Sequence, residues 1–413
     1  MNRRLVAVQW MQLLVLSAAH FIADMFGNML PVILPALRAE FTMTLTVGGL
    51  VVSACVLTSN LVQMLTGHTR ANKSIPVLLY IGLATGGAIC FISLLPRTSL
   101  GIGIMVLMAA VSGVGIALVH PEGLRAMHRL DAIPAGLSTA IFMMGGFVGY
   151  SAGGALSAEF VHRWGLGGLR WIALGPVVAI VLVMLARVRL AVESETPAQQ
   201  PHSAGSIKRL PFWPLMAVAI PAGISTTILC MLMPTRLEEL GFALTWGGYS
   251  STVYGIGAAV GSFTLAYLAY RTDEMKLVVA TLLAAPFILA TYLLAIAHRA
   301  AIVLLFGQGF CAMGSYILLI TLARYATGPN LGRRMGFIIG GTWGVAVMVF
   351  MALTPVADRF GTQPLLYSAV GGYFVSACMA LWLMKHAAQK ASAAAPTALE
   401  GIRDPVSRTP STV

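Results

Sequence analysis

Charge is what this sequence has least of. Only 10% of its 413 residues are Asp, Glu, Lys or Arg, while 58% are hydrophobic. An average soluble domain carries roughly a quarter charged residues and about half apolar ones. Mean hydropathy is +0.85. So few charges cannot cover several water-facing cores, which excludes a soluble enzyme, a secreted module and a disordered protein. Cysteine is scarce as well. Cys55, Cys90, Cys230, Cys311 and Cys378 stand far apart in apolar stretches, with no CxxC or Cys/His ligand spacing. Neither a disulfide framework nor a metal site is indicated, and no cofactor is expected. The net charge of +12 comes without a Lys/Arg stripe carrying interleaved aromatics, so it does not point to nucleic acid. No nucleophile–base set or phosphate loop appears either, which argues against an enzyme.

What the chain does have is long apolar runs. A membrane crossing needs about 20 apolar residues. Twelve runs qualify, near 10–37, 47–66, 74–95, 100–120, 135–158, 167–187, 212–235, 246–269, 276–297, 300–323, 336–358 and 364–385. The first superficially resembles a signal peptide, yet it continues past Asp24 and Pro31 and reads as a retained span. The expected fold is therefore an all-α membrane protein of twelve transmembrane helices. An even number places both termini on one side. That side holds 19 of the 26 Lys and Arg residues, against 7 on the other, which puts the termini in the cytoplasm of a multi-pass inner-membrane protein. The basic balance is thus a topology signal, and the lipid bilayer is the only anionic partner it implies.

The longest polar stretch, 188–211, contains Glu193, Glu195, Pro197, Pro201 and Gly205 and suits a flexible cytoplasmic linker. It divides an N-terminal six-helix bundle (1–187) from a C-terminal one (212–385). The Ala-, Ser- and Pro-rich residues 386–413 read as a disordered cytoplasmic tail. The two bundles repeat each other. Pro35 and Leu45-Thr46-Val47-Gly48-Gly49 recur as Pro234 and Leu244-Thr245-Trp246-Gly247-Gly248, at an offset of 199. Phe142 to Gly149 recurs as Phe337 to Gly344, at an offset of 195. Two parallel six-span halves joined by an inner linker is the arrangement of the major facilitator superfamily, with a cavity between bundles that rock around a midplane site.

Ionisable groups inside the hydrocarbon cost about 2.5–3.5 kcal/mol each on insertion scales and are functional candidates by default. Asp24 is the only acid well inside a span. His20 lies one turn before it and Asn28 one turn after, so the three share a helix face. The repeat supplies a control: the matching positions are Ala219, Gly223 and Thr227, so maintaining the fold does not demand this polar stripe. His120 and Glu122 lie at the inner end of span 4, where Pro121 is expected to stop or kink the helix. Either Asp24 or Glu122 can be read as a proton carrier with a histidine sharing the proton. The plainer alternatives are an Asp–His pair between helices, and a Glu122–Arg125 ion pair on a solvated inner loop. Gln63 and Gln308 are polar enough to line a substrate cavity, and Trp343 could stack on substrate or simply pack. Gly145, Gly146 and Gly149, with Gly340 and Gly341, suit close helix packing and sliding during gating, though ordinary packing explains any single glycine as well.

These residues together resemble a branch of the superfamily, the fosmidomycin-resistance-type exporters. The resemblance rests on His20-x-x-x-Asp24, Val119-His120-Pro121-Glu122, Gly145-Gly146-x-x-Gly149, Gly332-Arg333-Arg334-Met335-Gly336 and Ala357-Asp358, in that order. The loop after span 2 departs from the superfamily pattern, reading Gly67 to Lys73 with Ala71 in place of an acid. The resemblance implies a secondary active, proton-coupled exporter (a drug antiporter) of small organic molecules, working as a monomer by alternating access. Its partners would be a small-molecule substrate, protons and lipid. The alternative is a metabolite importer or facilitator of the same fold. A non-transporting sensor or assembly factor ranks last, because no large added domain is present.

Overall fold

A computed structural model describes residues 3–66, 73–191 and 210–400. Their backbone is helical, as it must be where no water is available to pair exposed amides. The first span is α1 (Arg3–Gly27) and α2 (Met29–Phe41), broken at Asn28. There follow α3 (Leu45–Thr66), α4 (Val77–Gly86) with a 3₁₀ extension over Gly87–Leu94, α5 (Ser99–Met127), α6 (Ala135–Trp164), α7 (Leu169–Ile172) and α8 (Leu174–Leu185). The second half comprises α9 (Phe212–Glu239), α10 (Leu244–Leu268), α11 (Glu274–Ala295), α12 (Ile302–Tyr325), α13 (Leu331–Gly336), α14 (Thr342–Phe360) and α15 (Gln363–Glu400). Side-chain caps fix several starts: Thr98 accepts from Gly101 N–H, Asp273 from Met275 and Lys276, and Asn330 from Arg333.

Among the described residues, eleven apolar helical stretches are long enough to cross a membrane, against the twelve expected. The difference lies in Leu137–Leu185, a run of 49 residues. It folds back on itself at Gly165, whose φ of +59° is left-handed and suits glycine. The chain then returns to the face on which α1 begins, where Gln12 Nε2 donates to the carbonyl of Ala186 at 3.0 Å. That run therefore makes two passes. We call the face where α1 begins the near face and the opposite one the far face.

Two expectations are corrected here. Pro121 does not stop its helix, because α5 continues through it to Met127. A proline removes one hydrogen bond, and the flanking turns of a long buried helix hold the axis together. Residues 386–400 are not irregular either, since α15 runs to Glu400, in keeping with the high helix propensity of their alanines. Of the linker, 192–209 lie outside the described residues, as do 67–72 of the span 2–3 loop and the tail beyond 400. The ends of the linker are tied down. Leu190 N–H donates to Ser74 O and Ala191 N–H to Arg125 O, at 2.8 and 3.1 Å. On the other side, Thr327 N–H donates to Leu210 O at 2.9 Å and Phe212 N–H to Thr327 O at 3.0 Å.

The sequence repeat is a repeat of contacts. A Cβ on Gly48 would come within 2.5 Å of Leu34, and one on Gly247 within 3.2 Å of Pro234, each in the preceding span of the same half. The second glycine of each pair faces the opposite half. Gly49 abuts Thr354 of α14, and Gly248 abuts Gly154 and Ala158 of α6, with 2.6–2.7 Å to an added Cβ. Small residues at equivalent positions thus let the halves approach twice, once on each side of a pseudo-two-fold axis.

Candidate functional site

The site begins with α1, whose middle carries His20 and Asp24 one turn apart and so stacked on one face. His20 Nε2 lies 3.2 Å from Asp24 Oδ2. His120, from α5, brings its Nε2 to 3.1 Å from the other oxygen, Asp24 Oδ1. One carboxylate thus faces two imidazoles. The outer nitrogens of both rings are held by carbonyls: His20 Nδ1 by Phe142 O and His120 Nδ1 by Ile116 O, each at 2.9 Å. A carbonyl only accepts, so each Nδ1 carries a proton and each ring turns Nε2 toward Asp24. Ring contacts complete the fixation. His20 stacks on Phe142 with centroids 4.2 Å apart and meets His120 edge-on at 4.8 Å.

Gly146 of α6 makes the room. A Cβ there would fall 2.4 Å from Asp24 Oδ2 and 2.6 Å from His20 Nε2. Gly145 and Gly149 lie along the same seam, where an added Cβ would strike the carbonyls of Ser17 and Phe21. The second half inverts this exchange of bulk. At the position matching Asp24 stands Gly223, and an added Cβ there would sit 2.8 Å from Thr342 of α14. His20 is 1% exposed. Asp24 and His120 are half-buried, with about a fifth to a quarter of each side chain accessible.

The other expected site residues fall elsewhere. Glu122 is 2% exposed inside α5, not on a solvated loop. Its Oε1 accepts from Arg125 Nη1 at 3.3 Å, apart from the Asp24 cluster. Asn28 is fully buried: its Nδ2 donates to Tyr150 O of α6 in the same half at 2.9 Å, and its Oδ1 accepts from Ser251 Oγ of the opposite half at 3.0 Å. Gln308 is 0% exposed, and neither its amide oxygen nor its nitrogen has a hydrogen-bond partner. Gln63 is half-buried on α3. Trp343 packs edge-on against Tyr316, with centroids 5.1 Å apart. Gly340 and Gly341 lie in a π-helical turn, Phe337–Gly341, whose carbonyls at Ile338 and Ile339 accept from Tyr316 Oη. Such turns often mark functional positions in helices, but Gly341 has no contact closer than 3.6 Å to an added Cβ.

Sequence reasoning missed a set of polar contacts that join the halves toward the far face. Asp358, at the end of α14, accepts from the N–H groups of Leu45 and Thr46. Glu159 of α6 bonds Tyr249 of α10. Thr252 Oγ1 donates to Ser151 O at 2.5 Å and accepts from Ala155 N–H at 3.2 Å. The available signal was α3 itself, which has no acid in its first turn and so draws its cap from elsewhere.

The comparisons agree with this architecture. Residues 16–340 match the sequence profile of the Major Facilitator Superfamily. The chain is 31% identical over 171 residues to the fosmidomycin resistance protein of Escherichia coli (strain K12), a match that spans 41% of each chain. It is 22% identical over 371 residues to the MFS-type transporter YfnC of Bacillus subtilis (strain 168), spanning 85% of this chain and 88% of that one. Among solved structures, the nucleoside transporter NupG superposes with a TM-score of 0.69 at 13% identity, covering 90% of this chain and 99% of the other. A bacterial homologue of the human lysosomal transporter Spinster, inward-facing and occupied, gives 0.62 at 15% identity over 90% and 96%. Both structural likenesses establish the fold alone. With its profile match running from α1 to the π-helical turn before α14, this chain belongs to the major facilitator superfamily: it is a multi-pass membrane transporter of small molecules and not an enzyme.

Proposed function

We propose that this transporter is a proton-coupled exporter of small organic molecules, working by alternating access from a cytoplasmic near face, with Asp24 as the proton-carrying group. The observation that supports this most is the convergence of His20 and His120 on the two oxygens of Asp24. Both Nδ1 atoms already hold a proton against a carbonyl, so any hydrogen bond to Asp24 needs a further proton on Nε2. The cluster therefore takes up cations at the middle of the first span, where two of its three members remain accessible. Its counterpart in the second half, Ala219, Gly223 and Ser315, carries no ionisable group, which concentrates the chemistry on one bundle. A proton moving through 100 mV contributes about 2.3 kcal/mol, enough to bias two access states. The far-face contacts that join the halves must part once in each cycle. The export direction draws support from the name of the partly matching E. coli relative and from the basic residues concentrated on the terminal side.

The test is transport in inside-out vesicles driven by an imposed pH gradient. Asp24→Asn is expected to abolish pH-driven accumulation while leaving the protein in the membrane. Undiminished pH-driven transport in that variant would remove Asp24 from the role.

A further inference from the structure

We propose that His20, Asp24 and His120 form a binding site for a divalent transition-metal ion of the zinc, cobalt or nickel type. The inference concerns the same three side chains as the proton reading but does not rest on it, because it needs only their geometry. Local spacing could not disclose such a site, since two ligands come from α1 and the third from α5.

Four observations carry it. First, the three candidate ligand atoms lie within 4.8 Å of one another, and both nitrogen–oxygen separations are 3.1–3.2 Å. Ligands about 2.0–2.1 Å from a tetrahedral ion stand about 3.3 Å apart, and each nitrogen already has nearly that spacing to its own Asp24 oxygen, Oδ2 for His20 and Oδ1 for His120. Gathering one atom from each residue onto one ion closes their 4.8 Å spread by about 1.5 Å, a shift shared between the Asp24 carboxylate and the partly accessible His120. Second, both imidazoles bond a backbone carbonyl through Nδ1, the outer contact that fixes tautomer and orientation in histidine metal ligands. Third, His20 Nε2 is buried and makes no well-formed hydrogen bond, although a carboxylate oxygen lies 3.2 Å away, so it is a buried polar atom left for another partner. Fourth, Gly146 lets α6 pass beside Asp24 Oδ2 and His20 Nε2 with no side chain of its own between them, where even a methyl group would overlap both.

The donor set selects the ion. Two imidazoles and one carboxylate suit Zn²⁺, Co²⁺, Ni²⁺ or Cu²⁺, whereas Mg²⁺ and Ca²⁺ prefer oxygen ligands alone. Three protein ligands leave a tetrahedral ion one open position, and the accessible edges of Asp24 and His120 give it an approach. A bound dication would also place fixed positive charge at the centre of the first span, where the sequence supplies no Lys or Arg. An anionic group of a transported molecule could occupy the open position.

The experiment uses the full-length protein, purified in detergent and stripped with a chelator. Co²⁺ is titrated in with visible absorption as the readout, and Zn²⁺ with calorimetry. The expected result is one ion per chain, with the stronger absorption of four- or five-coordinate cobalt. At least a tenfold loss of affinity is expected in His120→Gln and in Asp24→Asn, with none in His298→Gln, which alters an exposed histidine far along the chain. Zn²⁺ should raise the melting temperature of the wild type and not of His120→Gln, which separates loss of the site from loss of the fold. Absence of stoichiometric binding to the wild type, or equal affinity in His120→Gln, overturns the proposal. Repeating the vesicle assay with chelator present keeps the two readings apart. Proton-driven transport without metal binding removes only the metal site, whereas metal binding with intact transport in Asp24→Asn removes only the proton role.

Discussion

Asp358 caps the helix that begins beside Thr46, although the two residues belong to opposite halves. Its carboxylate accepts from the N–H of Leu45 at 2.6 Å and of Thr46 at 2.8 Å, and the Thr46 hydroxyl donates to the same carboxylate. The first amides of a helix carry partial positive charge and have no partner within the helix. Here one half of the molecule satisfies the helix end of the other. The contact is a cap and a latch at once, because it cannot persist when the far face opens.

Asp358→Asn should therefore favour the state open to the far face. Hydrogen bonds to a charged acceptor contribute about 1.5–3 kcal/mol, and losing the charge from this pair should shift the balance of the two states by roughly tenfold or more. The measurement is alkylation of a cysteine placed at Ser251, which is 3% exposed at the seam of the halves, in a Cys378→Ser background that removes the exposed native thiol. Labelling should speed up when Asp358→Asn is added. An unchanged rate would show that the remaining seam contacts hold the face without it.

Gly146→Ala tests the space that the site requires. The new methyl would lie 2.4–2.6 Å from atoms of Asp24 and His20, nearer than van der Waals contact allows, and overpacking of this kind costs about 1–3 kcal/mol. Transport is expected to fall at least tenfold. Gly341→Ala, its counterpart in the repeat, finds its nearest neighbour at 3.6 Å and should retain most activity. Equal activities in the two variants would mean that the crowded geometry around Asp24 is not needed.

Much of this was legible in the chain itself, for identifiable reasons. Spans, their return at Gly165–Gly168 and the halves follow from apolar runs and turn residues, which are local signals. The His20–Asp24 pair is local too, because four residues make one helical turn. His120 joined that pair only in three dimensions, since packing between the first and fourth spans leaves no spacing to read. Pro121 misled by its usual effect on an isolated helix, so the alternative that paired Glu122 with Arg125 had the partner right but put the pair on a solvated loop, when Glu122 is buried in α5. Asn28 was correctly placed on the polar face of the first span. Its hydrogen bond from Ser251 of α10 nevertheless gives it to the seam between the halves, and no composition argument distinguishes a seam from a cavity.

The two histidines should separate in their effects. His20 is sealed against Phe142 and bonded to its carbonyl, so His20→Ala leaves a cavity in packed surroundings and is expected to cost about 2–4 kcal/mol in stability. His120 is partly accessible, so His120→Gln should leave melting in detergent within about a degree of wild type, a change of a few tenths of a kcal/mol, while reducing pH-driven transport. The check is thermal melting and vesicle transport on both variants. Matching stability losses would assign both rings to packing alone.

Glu122 and Arg125 give the last distinction, between a proton carrier and a brace. Arg125 Nη2 donates to the carbonyls of Lys73 and Ala191, at 2.8 and 2.9 Å, while Nη1 meets Glu122. The guanidinium thus pins the segment before α4 and the start of the linker to α5. Removing it strips Glu122, which is almost fully buried, of an ion-pair partner, and breaking a buried pair from one side costs about 3–5 kcal/mol. Arg125→Ala should therefore melt well below wild type. Adding Glu122→Gln should recover part of the loss, because the buried charge that lost this partner is gone while the anchoring of Lys73 and Ala191 is still absent. Glu122→Gln alone should keep pH-driven transport, since the amide oxygen can still accept from Arg125. If that single variant instead loses proton coupling at unchanged melting temperature, Glu122 carries the proton and the brace is secondary.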